Sequence, residues 1–332
     1  MKSKGLTMET VAKKAGVSIT TVSHVINKTR HVNQTTKEAV LKAIEELHYR
    51  SSKMTGNRKT EDLCIGVILA DAREDYYVGM VKALESAAED YGVSVIFCDS
   101  EADFEKEEKN IDILLRRRVN GLLLAPANSE RTPAQLKTLA IPAVLFDRQY
   151  KNHNMLFVGI NNFRSGYLGT RYLINKGAER IGCIGYSDPV DTVQQRILGY
   201  HAAVMESQLA SAAKVLYLKY NGGDSFPLIT QFIREGNFDG FICATSTLCY
   251  ELTVVLDILE QKSPKKIITF DDNRWFDYLK YPVSVISQPV AEIGNAALEN
   301  LLQMIYRTDT SDVVKRELLF DVDIIDRIKL YD

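Results

Sequence analysis

Residues 7–49 read TMETVAKKAGVSITTVSHVINKTRHVNQTTKEAVLKAIEELHY, and this stretch decides what stands at the head of the chain. Thr7 is placed to cap a helix over residues 8–15, since its hydroxyl can accept from an unpaired N–H of the first turn. Gly16 supplies a turn, and Ser18 is placed to cap a second helix from Ile19 to about Ile26. A third helix is predicted from a capping box at Thr35-Thr36-Lys37-Glu38, burying Ala39, Val40, Ala43, Ile44 and Leu47 along one stripe. Two short helices around a glycine turn make a helix-turn-helix pattern, whose second helix enters the major groove of DNA and meets base edges with its first residues. Here those residues are Ser18, Ile19, Thr20 and Thr21, with Ser23 and His24 one turn on. Small hydroxyls suit phosphate and base contacts, and Ile19 can press on thymine methyls. Spacing alone also fits a plain helical hairpin with a solvated polar face.

Beyond Tyr49 the helical pattern stops. Residues 51–62, SSKMTGNRKTED, hold one apolar side chain, Met54, and one glycine, and they read as a linker. From Leu63 short apolar runs alternate with amphipathic helices: CIGVILA (64–70), VSVIFC (93–98), NGLLLA (120–125) and IPAVLF (141–146) form a first parallel α/β unit. A strand at 156–160, RIGCIGY (180–186), KVLYL (214–218), DGFICA (239–244) and KIITF (266–270) form a second. VSVIS (283–287), a helix near 290–306 and the tail ELLFDVDII are placed to cross back and finish both sheets.

Paired units of this kind bind ligands between the lobes, at the carboxyl ends of their strands. Those ends carry Asp71 with Tyr76 and Tyr77 just beyond, Asp147-Arg148, Asn161-Asn162, Arg196 on the following helix, Thr245-Ser246, and Asp271-Asp272 followed by Trp275. Carboxylates, amides and an arginine around aromatic plates suit a sugar, which needs paired hydrogen bonds to hydroxyls and a flat apolar face for its C–H side. Taken singly, each of these residues has a plainer use: Asp147 and Asp271 as turn caps, Arg196 as a surface ion pair, the tyrosines as core.

The run AGVS-xx-TVS-x-V-x-N, with a third helix ending in ELHY, closely resembles the headpiece of the lac repressor family, and the likeness extends over nearly all 332 residues. The resemblance implies an α/β protein with a small all-α helix-turn-helix headpiece and a two-lobed effector domain of doubly wound parallel sheets, like a type I periplasmic binding protein. It divides the chain into a headpiece (1–50), a hinge (51–62) and an effector-binding and dimerisation domain (63–332). The N-terminal lobe then takes about 63–160 plus 289–320, and the C-terminal lobe about 161–288. It places Ile19 and Thr20 on bases and Thr7, Ser18, Thr21, Ser23, Asn27, His31 and Asn33 on phosphates.

Two departures stand out in the headpiece and linker. His24 occupies a position where the family usually has arginine, which removes a bidentate fork toward guanine. In the linker, the family's minor-groove leucine falls on Arg58, so the hinge either binds without strong kinking or uses Met54 as its apolar wedge. In the cleft, Arg196 and Asp271 match the family's ligand-clamping pair, Tyr76-Tyr77 its aromatic pair, and Gln288 a position that touches ligand or the other lobe. Asn161 stands for a common aspartate, and Thr245-Ser246 for Asn-Asp. These changes lower the negative charge in a way that suits an acidic or phosphorylated sugar, but Asp147, Asp271 and Asp272 leave sugar, sugar acid and sugar phosphate all open.

The implied partners are palindromic operator DNA, a second copy of the chain, because one headpiece contacts too little DNA, and a small effector. A purine or a protein as effector is the alternative. Charge agrees with a DNA-reading head: residues 1–60 hold 12 basic against 4 acidic side chains, +8, while the whole chain nets -2. The five cysteines are widely spaced in apolar runs and read as reduced thiols of a cytoplasmic protein. No metal or cofactor motif is present, no HExxH, GxSxG or phosphate loop suggests an enzyme, and no apolar run approaches the ~18 residues of a membrane span. A sugar-binding transport receptor would show a signal peptide and no basic head.

Overall fold

A computed structural model of the protein describes residues 8–18, 21, 22, 25, 33–46, 63–209, 213–220, 222, 223, 225–260, 265–306 and 317–328. Their contacts divide the chain into Met1–Thr60 and Glu61–Asp332.

In the first unit, α1 (Met8–Ala15) ends at Gly16, whose φ of 67° is strained for any residue with a side chain. The Thr21 N–H then donates to Ser18 Oγ at 3.1 Å, so Ser18 caps the helical turn at Thr21, Val22 and Val25. For α2 (Gln34–Glu46) the cap is Asn33, whose Oδ1 accepts from Thr36 N at 2.8 Å and from the Thr35 hydroxyl at 3.1 Å. The expected capping box at Thr35 is therefore corrected: an amide two residues upstream takes the exposed N–H. Val11, Ala12, Val22, Val25, Val40 and Ala43 form the buried cluster, with Ala15 and Val17 against it. Ala39 is exposed, not buried, because a helix turns about 100° per residue and Val40 and Ala43 already define the inner face. The side chains of Ile44 and Leu47 lie outside the described residues.

The second unit opens with β1 (Cys64–Leu69), α3 (Asp75–Tyr91), β2 (Ser94–Asp99), α4 (Phe104–Arg116), β3 (Gly121–Leu124), β4 (Ala143–Phe146) and β5 (Leu156–Ile160), and the last corrects the expectation that 156–160 opens the second α/β unit, since it pairs beside β4 in the first sheet. The chain then passes to a second lobe of α5 (Asn162–Asn175), β6 (Ile181–Tyr186), α6 (Asp191–Glu206), β7 (Lys214–Leu218), α7 (Ser225–Gly236), β8 (Gly240–Cys243), α8 (Ser246–Ile258), β9 (Lys266–Phe270) and β10 (Val283–Ser287). It returns for α9 (Val290–Tyr306), which packs on α3, and β11 (Glu317–Phe320), then crosses a third time into β12 (Asp323–Ile325). The sheets run β11-β5-β4-β3-β1-β2 and β12-β10-β9-β8-β6-β7, and among the described residues only the β10–β12 pair is antiparallel. Strands covered by helices on both faces must be apolar throughout, and GLLL of β3, AVLF of β4 and GFIC of β8 are buried at every position.

The three crossings lie side by side. Ile160 pairs with Phe320 where two of them leave the first lobe, and Ser287 pairs with Asp323 where two meet the second. Within the second lobe α5 and α6 touch closely: a side chain at Gly166 would overlap the Arg196 carbonyl. That contact sets Arg196 beside the start of α5.

Candidate functional site

The strand ends of the two lobes meet around one cavity. Asp147 follows β4 and Asp271 follows β9, both in the left-handed backbone region, at φ 59° and 66°, which turns their carboxylates out of the strands into the cleft. The Tyr77 hydroxyl donates to Asp147 Oδ2 at 2.5 Å, and Arg148 Nε lies 3.6 Å from the same oxygen. Burial pushes the Tyr76 and Tyr77 phenols well up, so both remain neutral donors.

Arg196, 5% exposed, reaches in from α6. Its Nε donates to Asn162 Oδ1 at 2.8 Å and its Nη1 to the Ala244 carbonyl at 2.7 Å, while the guanidinium carbon sits 3.7 Å from the centre of the Phe270 ring. Both bonds and the ring fix its plane, with the rest of the fork left toward the cavity. Burial lowers the Arg196 pKa, and the Asp271 and Asp147 carboxylates oppose this. Gln288 Nε2 donates to Asp271 Oδ1 at 2.7 Å. Burial lifts the Asp271 carboxyl to about 6 against the pull of Arg196 and Gln288.

The "Bacterial regulatory proteins, lacI family" pattern matches residues 7–52, and the "Periplasmic binding protein domain" pattern matches residues 65–307. The ribose operon repressor of Escherichia coli (strain K12) is 31% identical over 316 residues, 90% of this chain and 93% of that protein. The chain belongs to the lacI family of bacterial regulatory proteins. As a lacI-family member it is a DNA-binding transcriptional regulator. The regulator RegA of Clostridium saccharobutylicum is 29% identical over 321 residues, 93% of this chain and 96% of its own. The crystal structure of the lac repressor dimer bound to operator and the anti-inducer ONPF shares the fold, with a TM-score of 0.68 and 22% identity over 98% of both chains.

In this lacI-family chain, Tyr76, Tyr77, Asp147, Arg148, Arg196, Thr245 and Asp271 all line the cavity. Gln288 stands behind Asp271. Asn161 does not reach it: the residue is exposed, and its Oδ1 caps α5 by accepting from Arg164 N at 2.8 Å, leaving the buried Asn162 to hold Arg196. Trp275 is also absent from the lining. It lies in a short 3-10 turn (Arg274–Tyr278), with ring centres 5.3 Å from Tyr250 and 4.1 Å from Phe276.

The cavity gains Glu74, Tyr186, Val190, Thr192, Val193 and Tyr220, which the sequence reading passed over. Tyr186 ends β6 and Tyr220 lies just past β7, so the strand-end rule that found Asp147 could have found both. Of the residues read as DNA contacts, Ser18, Thr21 and Asn33 belong to helix starts as described above. Thr7, Ile19, Thr20, Ser23, His24, Asn27, His31, Met54 and Arg58 lie outside the described residues. Among the described residues no cluster of His, Cys, Asp or Glu fits a metal ion, and no helix is long and apolar enough to cross a membrane.

The raised Asp271 carboxyl carries a pH signature. Its folded pKa lies above the ordinary carboxylate value, so the folded state binds the proton more tightly than the unfolded one. The cost of burying the anion is thus fully present above pH 6 and disappears as the pH falls toward 4. Asp271→Asn is expected to raise the unfolding midpoint by a few degrees at pH 7.5 and by clearly less at pH 5. Equal gains at the two pH values in a thermal melt would contradict the assignment.

Proposed function

We propose that the protein regulates transcription by binding a palindromic operator as a homodimer, with its DNA affinity set by a neutral sugar or closely related polyol in the inter-lobe cavity. Residues 1–50 read the operator, 51–62 form the hinge, and 63–332 bind effector and partner. The observation that carries this reading is a set of buried polar atoms with no hydrogen-bond partner, Tyr76 Oη and Arg148 Nη1, with Arg148 Nε held only by a long ion pair to Asp147, around a cavity whose walls also bring Asp147 and Asp271 from opposite lobes. Buried polar groups are paired in nearly all folded proteins, so unpaired ones gathered at one cavity mark where a ligand bonds. Free donors beside carboxylate acceptors match a molecule whose hydroxyls can both give and take.

Charge narrows the class. Glu74, Asp147 and Asp271 face Arg148 and Arg196, three carboxylates against two guanidiniums, which favours an uncharged ligand over a sugar acid or phosphate. Glu74 supplies the negative charge that Thr245-Ser246 in place of Asn-Asp removes. The room open to the centre of a water-sized sphere is about 30 Å3, so a sugar enters only when the lobes part. Binding then shifts the balance between parted and closed lobes, and the hinge passes that shift to the headpiece. The protein acts by binding and not by turnover, and it works in the cytoplasm, where its operator is.

A thermal-shift panel of D-ribose, D-xylose, D-glucose, D-galactose and D-fructose, their acids and phosphates, and adenine, guanine and hypoxanthine tests the proposal. A neutral sugar should raise the midpoint and change operator affinity in a gel-shift assay. Stabilisation by a purine or a phosphate alone would overturn the effector class, and a ligand that stabilises without moving operator affinity would overturn the regulatory link.

A further inference from the structure

Ser129 lies in the first lobe, after β3, and is 2% exposed. Its carbonyl accepts from Lys151 N of its own lobe at 2.7 Å. Every donor it owns is spent on the opposite lobe: its N–H on the Pro189 carbonyl at 2.9 Å, and its hydroxyl hydrogen on Asp191 Oδ1 at 3.1 Å. In return its Oγ accepts from the Asp191 N–H at 2.9 Å.

That last bond is a helix cap. Asp191 is the first residue of α6, and Val190, which precedes it, has no side chain able to accept from the helix's first N–H groups. A serine hydroxyl accepting there does what an N-cap side chain does, except that it arrives from the other lobe. The helix so capped carries Thr192, Val193 and Arg196 into the cavity. The same turn holds the Asp191 carboxylate, which also lies 3.4 Å from the Gln149 N–H. Parting the lobes removes the cap and breaks all three hydrogen bonds that Ser129 makes to Pro189 and Asp191 at once.

We propose that Ser129 is a positioning residue for the effector: it completes α6 from the opposite lobe, so that the closed lobes and a correctly seated Arg196 are one state. The proposal rests on the effector site described above, although Ser129 itself does not line the cavity. A sugar that closes the lobes gains the trans cap together with its own contacts, and a variant without the hydroxyl has to close without it.

The test compares Ser129→Ala with Ser129→Thr, which keeps a hydroxyl, in the full-length protein. In ligand-free protein, amide hydrogen exchange at Asp191 should quicken about ten-fold or more in Ser129→Ala and return toward wild type in Ser129→Thr. The amides of Phe241 and Ile242 in β8 should stay unchanged and report that the lobe is folded. The midpoint concentration of the best-stabilising sugar of the panel, read by operator gel shift, should rise by a similar factor in Ser129→Ala alone. Unchanged Asp191 exchange in Ser129→Ala overturns the cap. Faster exchange with an unmoved sugar midpoint overturns the positioning role. If no sugar acts on the wild type, the effector reading fails, and the exchange measurement alone still decides the cap.

Discussion

Replacing Arg196 with alanine is expected to weaken effector binding by roughly 30- to 1000-fold while operator binding by the ligand-free protein stays intact. The guanidinium is buried and held by two charge-assisted bonds, to Asn162 and to the Ala244 carbonyl, on the face of Phe270. Its removal strips the nearest cation from Asp271 and orphans two acceptors, so the cavity loses both a donor and the charge that balances its carboxylates. A lysine there is a point charge without the fork and cannot make both bonds in one plane, so Arg196→Lys should recover only part of the loss. Titration calorimetry with the active sugar and gel shift with the operator separate the two properties. A normal sugar response in Arg196→Ala would remove the cleft as the effector site.

The second large effect lies in the first unit. Val40 is fully buried in a cluster of six small side chains, Val11, Ala12, Val22, Val25, Val40 and Ala43. A core this size supplies only a few kcal/mol of net stability. Val40→Asp places an unpaired carboxylate in it at a cost of about 3 kcal/mol or more, enough to unfold the unit. Operator affinity should fall by more than about 100-fold. The contacts of residues Glu61–Asp332 form a separate unit, so the sugar-induced thermal shift should be unchanged. Loss of both properties together would show that the two units fold as one.

These two residues mark how far the sequence could be read. Val40 was legible because α2 repeats its apolar positions with the helical period, whereas Ala39 was misplaced: a small apolar residue one step from the stripe looks the same in either place. The place of Arg196 and Asp271 at the cavity was legible because the strand ends of paired α/β sheets face the cleft between the lobes. Asn161 and Asn162 show where that reasoning stops. Adjacent asparagines at a helix start point in directions about 100° apart, and which one caps and which turns inward depends on how α5 docks against α6. Trp275 was chosen for its chemistry, but its ring packs with Tyr250 and Phe276 in a turn that no local pattern announces. Glu74 and Tyr220 were passed over because their significance comes from the other lobe: the Tyr220 hydroxyl donates to Asp71 at 2.7 Å, and Thr247 donates to Glu74 at 3.0 Å.

The three crossings between the lobes, joined at the Ile160–Phe320 and Ser287–Asp323 pairs, act as a ribbon and not as a string. A single strand can swivel in any direction, whereas three strands lying abreast bend readily across their common plane and resist twisting within it. Such a ribbon favours lobe motion along one coordinate. Molecules of different shape that enter the cleft push mainly along that coordinate, so they differ in how far they tip a balance more than in the form of the protein they leave behind. Under the proposed regulation the DNA-reading end would receive a single graded quantity, and evolution could exchange one effector for another in the cleft without rewriting the message sent to the operator.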